Sequence, residues 1–450
     1  MEPWCCGMSP RERYSCCRTA EMIEPNESSK AREQPRADGA DAQHTAEMVA
    51  RRSYGKLVAF LAARMRDVSA AEDALADAFA SALEDWTRNG CPENPEAWLL
   101  TVARRKTIDG VRRRETRNAA EPELKRIADG LEAAASETSG IPDRRLGLMF
   151  ACAHPAIEAS VRSPLILQVV LGLDAKRIAS AFLVSPAAMG QRLVRAKEKI
   201  RQAGIPFRIP EKDELPVRLD TVLDAIYGAF AEAWSDPAGT DFARRDLSEE
   251  AIYLGRVVVE LLPDEPEALG LLALMLHAEA RRAARRNADG EYVPLAEQDT
   301  SAWDSETIAE AEELLLRASR FGVPGRFQIE AALQSAHVHR IRSGESNWSD
   351  IVKLYDVLFA LTGSPVVAVN RVLAVAEVEG PQVALTELDK IAADARLAEY
   401  QPYWAVRAEL LTKLKKGSEA RAAYQMAIGL ERDPVVRRFL QRRLDALVEL

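Results

Sequence analysis

The stretch DAKRIASAFLVSPAAMGQRLVRAKEKIR, Asp174 to Arg201, reads as two helices joined by a tight turn. Ile178, Ala179 and Phe182 form the inner face of the first helix, with Ala179 small where two helices cross. Leu183, Val184 and Ser185 make the turn. Ser185 suits an N-cap and Pro186 a first helical position, so the second helix begins there. Its buried stripe is Met189, Leu193, Ala196 and Ile200. The opposite face presents Ala187, Ala188, Gln191 and Arg195, flanked by Arg192, Lys197 and Lys199. Residues 174 to 212 hold nine Lys+Arg against three Asp+Glu, net +6. Gln and Arg one turn apart, with phosphate-holding charges beside them, suit the major groove of a duplex. An uncharged helical hairpin would explain the apolar pattern but not this charge.

Working outward, helical spacing predicts a first helix over His44 to Arg66, a second over Ser69 to Trp86, a loop over Thr87 to Asn94, and a third helix that Pro95 opens and that runs to Arg114. On a wheel of about 100° per residue, Leu75, Phe79, Ala82 and Trp86 of the second helix lie opposite an acidic stripe of Asp73, Asp77 and Glu84. Such a stripe is either a solvated face or a docking surface. In the third helix Trp98, Val102, Arg105, Asp109, Arg112 and Arg113 share one side, while Leu99, Leu100, Ala103, Thr107 and Val111 take the other. An aromatic in line with guanidinium groups suits unpaired DNA, whose bases stack on aromatics while cations hold phosphates. Trp98 as a plain packing residue is the competing reading.

The remaining organisation follows from composition. Residues 1–42 lack periodicity and are expected to be a disordered tail. Residues 43–115 form one helical unit, 116–140 a linker, 141–206 the helix-turn-helix unit, 207–310 a helical extension, and 311–450 helical repeats. The repeat signal is that Ala368 to Ala376, Gly380, Ala384 and Leu388 resemble Ala405 to Leu414, Gly417, Ala420 and Tyr424, at a period of 36 to 37 residues. Small residues there allow close helix pairing, as in tetratricopeptide-type arrays or in generic Ala-rich hairpins.

The 450 residues exceed one core and imply several units. With 47% hydrophobic, 29% charged and 6% aromatic residues, and few alternating β-branched runs, the fold class is all-α. Apolar runs such as Val257 to Leu262 are too short to span a bilayer, so no membrane partner is expected and the setting is cytoplasmic. The net charge of −9 is uneven. Residues 1–212 hold 33 Lys+Arg against 29 Asp+Glu, net +4, and residues 213–450 hold 27 against 40, net −13. The two halves therefore meet different partners. Cys5, Cys6, Cys16 and Cys17 lack zinc-knuckle spacing, and His337 and His339 point apart on a helix, so neither metal nor cofactor is expected. No phosphate-binding Gly loop, His-Glu-x-x-His or nucleophile elbow is present, and no catalytic residue is assigned.

An acidic-faced helix, a Trp/Arg helix, a linker and a basic helix-turn-helix, in that order, resemble the sigma-70 family of RNA polymerase sigma factors. Ala71-Glu-Asp-Ala-Leu-Ala-Asp-Ala-Phe79 and Ala97-Trp-Leu-Leu-Thr-Val-Ala-Arg104 are similar to its region 2; Ile178-Ala179 and Arg195-Ala196-Lys197 are similar to its region 4. Two regions alone resemble the extracytoplasmic-function class. The stretches Ile141 to Pro155, Ala203 to Pro210 and Leu261 to Met275 resemble its subgroup with a tetratricopeptide-like extension.

The resemblance implies partners and roles. Glu72, Asp73, Asp77 and Glu84 would dock on the β′ clamp helices of core RNA polymerase, with the β flap as a second contact. Trp98, Arg105, Lys106, Asp109, Arg112 and Arg113, with the loop Thr87 to Asn94, would open and hold the −10 promoter element. Ser185, Ala187, Ala188, Gln191, Arg192, Arg195, Lys197 and Lys199 would read the −35 element, and the linker would thread the RNA exit path. The subgroup typically lacks a membrane anti-sigma partner, which makes the extension itself the regulator or the seat of a protein regulator. Leu183 departs from the Gly that many such turns carry. A helix-turn-helix regulator with a helical sensor is the alternative; it leaves the acidic stripe and the Trp98 face without a role.

Overall fold

The structure, a computed structural model, describes residues 39–65, 68–115, 143–182, 184–203, 210–234, 242–431 and 433–449. The tail 1–38, the linker 116–140 and Leu183 of the turn lie outside the described residues. Among the described residues there is no strand, only an isolated bridge between Arg286 and Tyr292.

Three helices open the chain: α1 (Gly39–Met65), α2 (Val68–Asn89) and α3 (Pro95–Glu115). The first starts earlier than the apolar spacing from His44 suggests, because Ala42 and Ala46 are buried and extend the stripe toward the N-terminus. Residues 39–42, expected in the tail, are therefore helical. α2 buries Ala71, Leu75, Ala78, Ala82 and Trp86 and runs three residues past Trp86, so the expected loop shortens to Gly90 through Asn94. Gly90 takes φ +84°, where a side chain would be strained, and its N–H donates to the Trp86 carbonyl at 2.9 Å. The Asn94 side chain accepts from the Ala97 N–H and Pro95 begins α3, a cap-and-proline start.

The helix-turn-helix unit holds α4 (Arg144–Cys152), α5 (Ala159–Val169), α6 (Ala175–Ala181) and α7 (Pro186–Ala203). Asp143 caps α4, Asp174 caps α6 by accepting from the Lys176 and Arg177 N–H groups, and Ser185 caps α7 by accepting from the Ala188 N–H at 3.2 Å. The inner face of the pair needs one correction. Ile178 and Ala179 are buried, but Phe182 is 36% exposed; α6 has ended at Ala181, and Val184 packs against the core in its place.

The C-terminal half continues as α8 (Pro216–Trp234), α9 (Phe242–Leu261), α10 (Pro266–Glu279), α11 (Ser305–Ser319), α12 (Arg326–Ser343), α13 (Trp348–Thr362), α14 (Pro365–Val378), α15 (Pro381–Lys390), α16 (Gln401–Lys413), α17 (Gly417–Leu430) and α18 (Pro434–Asp445). A single apolar core runs from Ala42 in α1 to Ala331 in α12, and a second joins α14 through α18. Neither expected division, after 206 or after 310, falls on a break in packing. α8 packs on α5 and α6, and α11 crosses residue 310 without interruption.

The two quoted repeat stretches fold as the helix pairs α14/α15 and α16/α17, burying Ala376, Ala384 and Leu388 in one and Ala405, Ala420 and Tyr424 in the other. Their glycines are not equivalent. Gly380 turns with φ +90°, whereas in the second pair Lys415 carries the left-handed φ of +59° and Gly417 simply begins α17. The last helix folds back on the loop before α11: Arg438 and Arg442 both donate to Glu291, and Tyr292 meets Phe439 edge to face at 5.6 Å. No helix among the described residues is long and apolar enough to cross a membrane.

Candidate nucleic-acid interface

The helix α7 turns its polar and charged side outward. Met189, Leu193 and Ile200 are buried, which turns Ala187, Gln191, Arg192, Arg195 and Lys199 outward, with Ser185 exposed at the cap and Ala188 half-buried. Gln191 and Arg195 sit one turn apart, about 6 Å along the axis. Val194, left out of the sequence reading, is 69% exposed beside them. The signal for it was present, since a residue three positions after Gln191 shares its side of a helix.

Lys197 goes elsewhere. Its Nζ donates to both carboxylate oxygens of Glu72 on α2, at 3.0 and 2.7 Å, with both side chains largely shielded. The helical wheel accounts for this: Lys197 lies about 80° from Met189, nearer the buried stripe than the Gln191/Arg195 face. The pair sits close to Cys152, a fully buried thiol that burial pushes well above the usual range. Tyr54 of α1 lies in the same corner. Burial raises its phenol to about 12, with Glu72 and Asp73 adding to the shift. Close approach of the two regions is set by Gly55: a Cβ there would lie 1.6 Å from the Val170 carbonyl oxygen.

On α2 the acidic stripe stands as Asp73, Asp77 and Glu84, all exposed, opposite the buried Leu75, Ala82 and Trp86. Glu72 is drawn out of that surface by Lys197. On α3, Leu99 and Ala103 are buried and Arg105 is exposed. Trp98 is half-buried and packs edge to face on Trp86, ring centroids 5.4 Å apart. Packing and an open face therefore coexist in Trp98. The side chains of Lys106, Asp109, Arg112 and Arg113 lie outside the described residues.

α8 holds the helix pair from its inner side. Arg177 of α6 donates from Nε to Glu232 of α8 at 2.8 Å, and Arg218 of α8, 3% exposed, donates to the Phe150 carbonyl at 3.1 Å. Sequence reasoning missed both contacts, because neither partner lies within reach of the other along the chain. Among the described residues no cluster of His, Cys, Asp and Glu is arranged to hold a metal ion.

Residues 49–117, which cover most of α1 with α2 and α3, match the family described as Sigma-70 region 2. Residues 218–319, from α8 to the end of α11, match a family of unknown function, DUF6596. The chain is 39% identical over 386 residues to "Uncharacterized protein R00370" of Rhizobium meliloti (strain 1021), covering 85% of this chain and 91% of that protein. No solved structure matches.

Proposed function

We propose that this chain is a sigma factor that serves transcription initiation, of the extracytoplasmic-function type with a tetratricopeptide-like extension; its match to Sigma-70 region 2 over residues 49–117 supports this reading. It docks on core RNA polymerase through Asp73, Asp77 and Glu84, engages the −10 element through Trp98 and Arg105, and reads the −35 element through Gln191 and Arg195. The observation that carries this reading is the exposed acidic face of α2 within the segment that matches Sigma-70 region 2, backed by a buried apolar face on the same helix. A helix-turn-helix alone would support only DNA binding. Exposed carboxylates can meet a cationic partner at modest desolvation cost, and Trp98, braced on Trp86, stays partly exposed for a base to stack on.

The test is reconstitution. The chain mixed with core polymerase is expected to co-purify with it and to direct transcription from defined start sites. Charge reversal by Asp73→Lys with Asp77→Lys is expected to abolish co-purification while leaving binding to duplex DNA in place. Duplex binding without any polymerase association would overturn the sigma reading in favour of a helix-turn-helix regulator.

A further inference from the structure

We propose that Val194 is a specificity-determining residue, reading the 5-methyl group of a thymine in the major groove beside the base read by Gln191. The inference rests on the DNA reading of α7 given above and extends it to a residue that reading did not include.

Three observations converge. First, Val194 has no role in folding α7. It is 69% exposed, while Met189, Leu193 and Ile200 fill the core side. A β-branched residue in an exposed helix interior is less favourable than Ala, so its place is not explained by helix stability. Second, Gln191 lies between Val194, three residues on, and Arg195, four residues on, so its amide has an isopropyl group on one side and a guanidinium on the other, each roughly 5–6 Å away. Third, cations share the exposed side of the helix. Arg195 stands one turn from Gln191, with Arg192 and Lys199 on the flank away from Val194, while Glu198, one turn beyond Val194, accepts from Gln202, so this side of α7 suits a polyanion held from the Arg195 flank.

The chemistry of the groove then selects the contact. Gln pairs with the N6 and N7 edge of adenine, Arg with O6 and N7 of guanine, and an aliphatic group with the one apolar feature of the major groove, the thymine methyl. Neighbouring base pairs rise about 3.4 Å, so side chains 5–6 Å apart address adjacent or next-but-one steps. A patch of this composition prefers a short element that holds at least one A·T pair next to a G·C pair.

The experiment uses the full chain and duplexes selected by it from a random-sequence library. Each thymine of the selected duplex is replaced in turn by uracil, which deletes only the methyl group, and binding is measured for the wild type and for Val194→Ala. At one position the wild type is expected to lose about fourfold in affinity, the worth of one buried methyl. Val194→Ala is expected to bind the thymine and uracil duplexes equally at that position and to respond as the wild type does elsewhere. The proposal is overturned if Val194→Ala keeps the full uracil penalty, or if no uracil position carries one. Selection of a defined sequence that Arg195→Ala abolishes, without any uracil penalty, would leave the DNA reading standing and remove only Val194. Recovery of random sequences would remove the DNA reading and Val194 with it.

Discussion

Lys197 donates to both carboxylate oxygens of Glu72, and so ties the second helix of the helix-turn-helix to the acidic helix α2. Fourteen residues of α2 separate Glu72 from Trp86, and Trp98 packs on that ring, so Trp98 lies within about 30 Å of the pair. Gln191 is six residues from Lys197 and lies within about 25 Å. Trp98 and Gln191 are thus at most about 60 Å apart, whereas elements named for positions 25 base pairs apart are spaced by about 85 Å of duplex. On the proposed function, polymerase binding must part this pair. A carbodiimide, which joins an amine to an adjacent carboxylate with loss of water, is expected to couple Lys197 to Glu72 in the free chain. The coupled peptide is expected to disappear when core polymerase is added, with Lys390 and Glu387 of α15 as the internal reference. Equal yield in the polymerase complex would show that the pair stays closed.

Arg218 makes the helix-turn-helix depend on the extension. Cutting the chain after Lys212 removes α8, which carries Arg218, Leu219, Val222, Leu223 and Ile226 into the core beneath α5 and α6. The expected product is an aggregating or partly unfolded fragment, not an unregulated reader. Arg218→Ala in the full chain strands the Phe150 carbonyl and takes one partner from the Glu214 carboxylate, which keeps the Glu211 N–H, and should cost about 2–4 kcal/mol. Chemical denaturation of the variant checks this figure, and circular dichroism of the fragment checks its loss of structure.

Gly55 lets the backbone of α1 come close to the residue that follows α5. Gly55→Ala would drive a methyl group into the Val170 carbonyl, a rigid neighbour that cannot rotate away. A loss of at least about 3 kcal/mol is expected, together with faster hydrogen exchange in α1 and α5. Wild-type exchange in the variant would mean that the two helices are not packed this way in solution.

His277 makes the extension acid-sensitive. It is fully buried on α10, its ring nitrogens lack a hydrogen-bond partner, and Nε2 lies 3.5 Å from Glu312. Burial, with the nearby Arg281 charge, lowers its pKa from 6.5 to about 3. The unfolded chain therefore binds a proton below pH 6.5 that the folded chain refuses until about pH 3. Stability is full above pH 6.5 and is lost as pH falls through that window, by about 2 kcal/mol between pH 6.5 and 5. Thermal unfolding across this range is expected to show a shallower decline for His277→Leu than for the wild type.

Much of this architecture is legible in local patterns. The turn at Ser185 and Pro186, the start at Pro95, and the opposed faces of α2 all follow from rules that act within two turns of helix. The misreadings are also local in origin. Phe182 reads as buried when the helical period is carried one residue past the real end of α6. Val194 was passed over because an exposed valine has no signature in an apolar pattern.

By itself the sequence determined the fold class, the helical faces and the sign of charge on each, because propensity, capping and amphipathic period are properties of neighbouring residues. Only the tertiary structure decided that Glu72 belongs to Lys197, that Arg218 completes the helix-turn-helix core, and that Arg438 and Arg442 of the last helix close on Glu291. Those contacts join residues 68 to 151 positions apart, and any carboxylate of the chain could in principle have met any of its arginines or lysines. Burial of the common apolar core selected the partners, by fixing which helices lie side by side before the charges were matched.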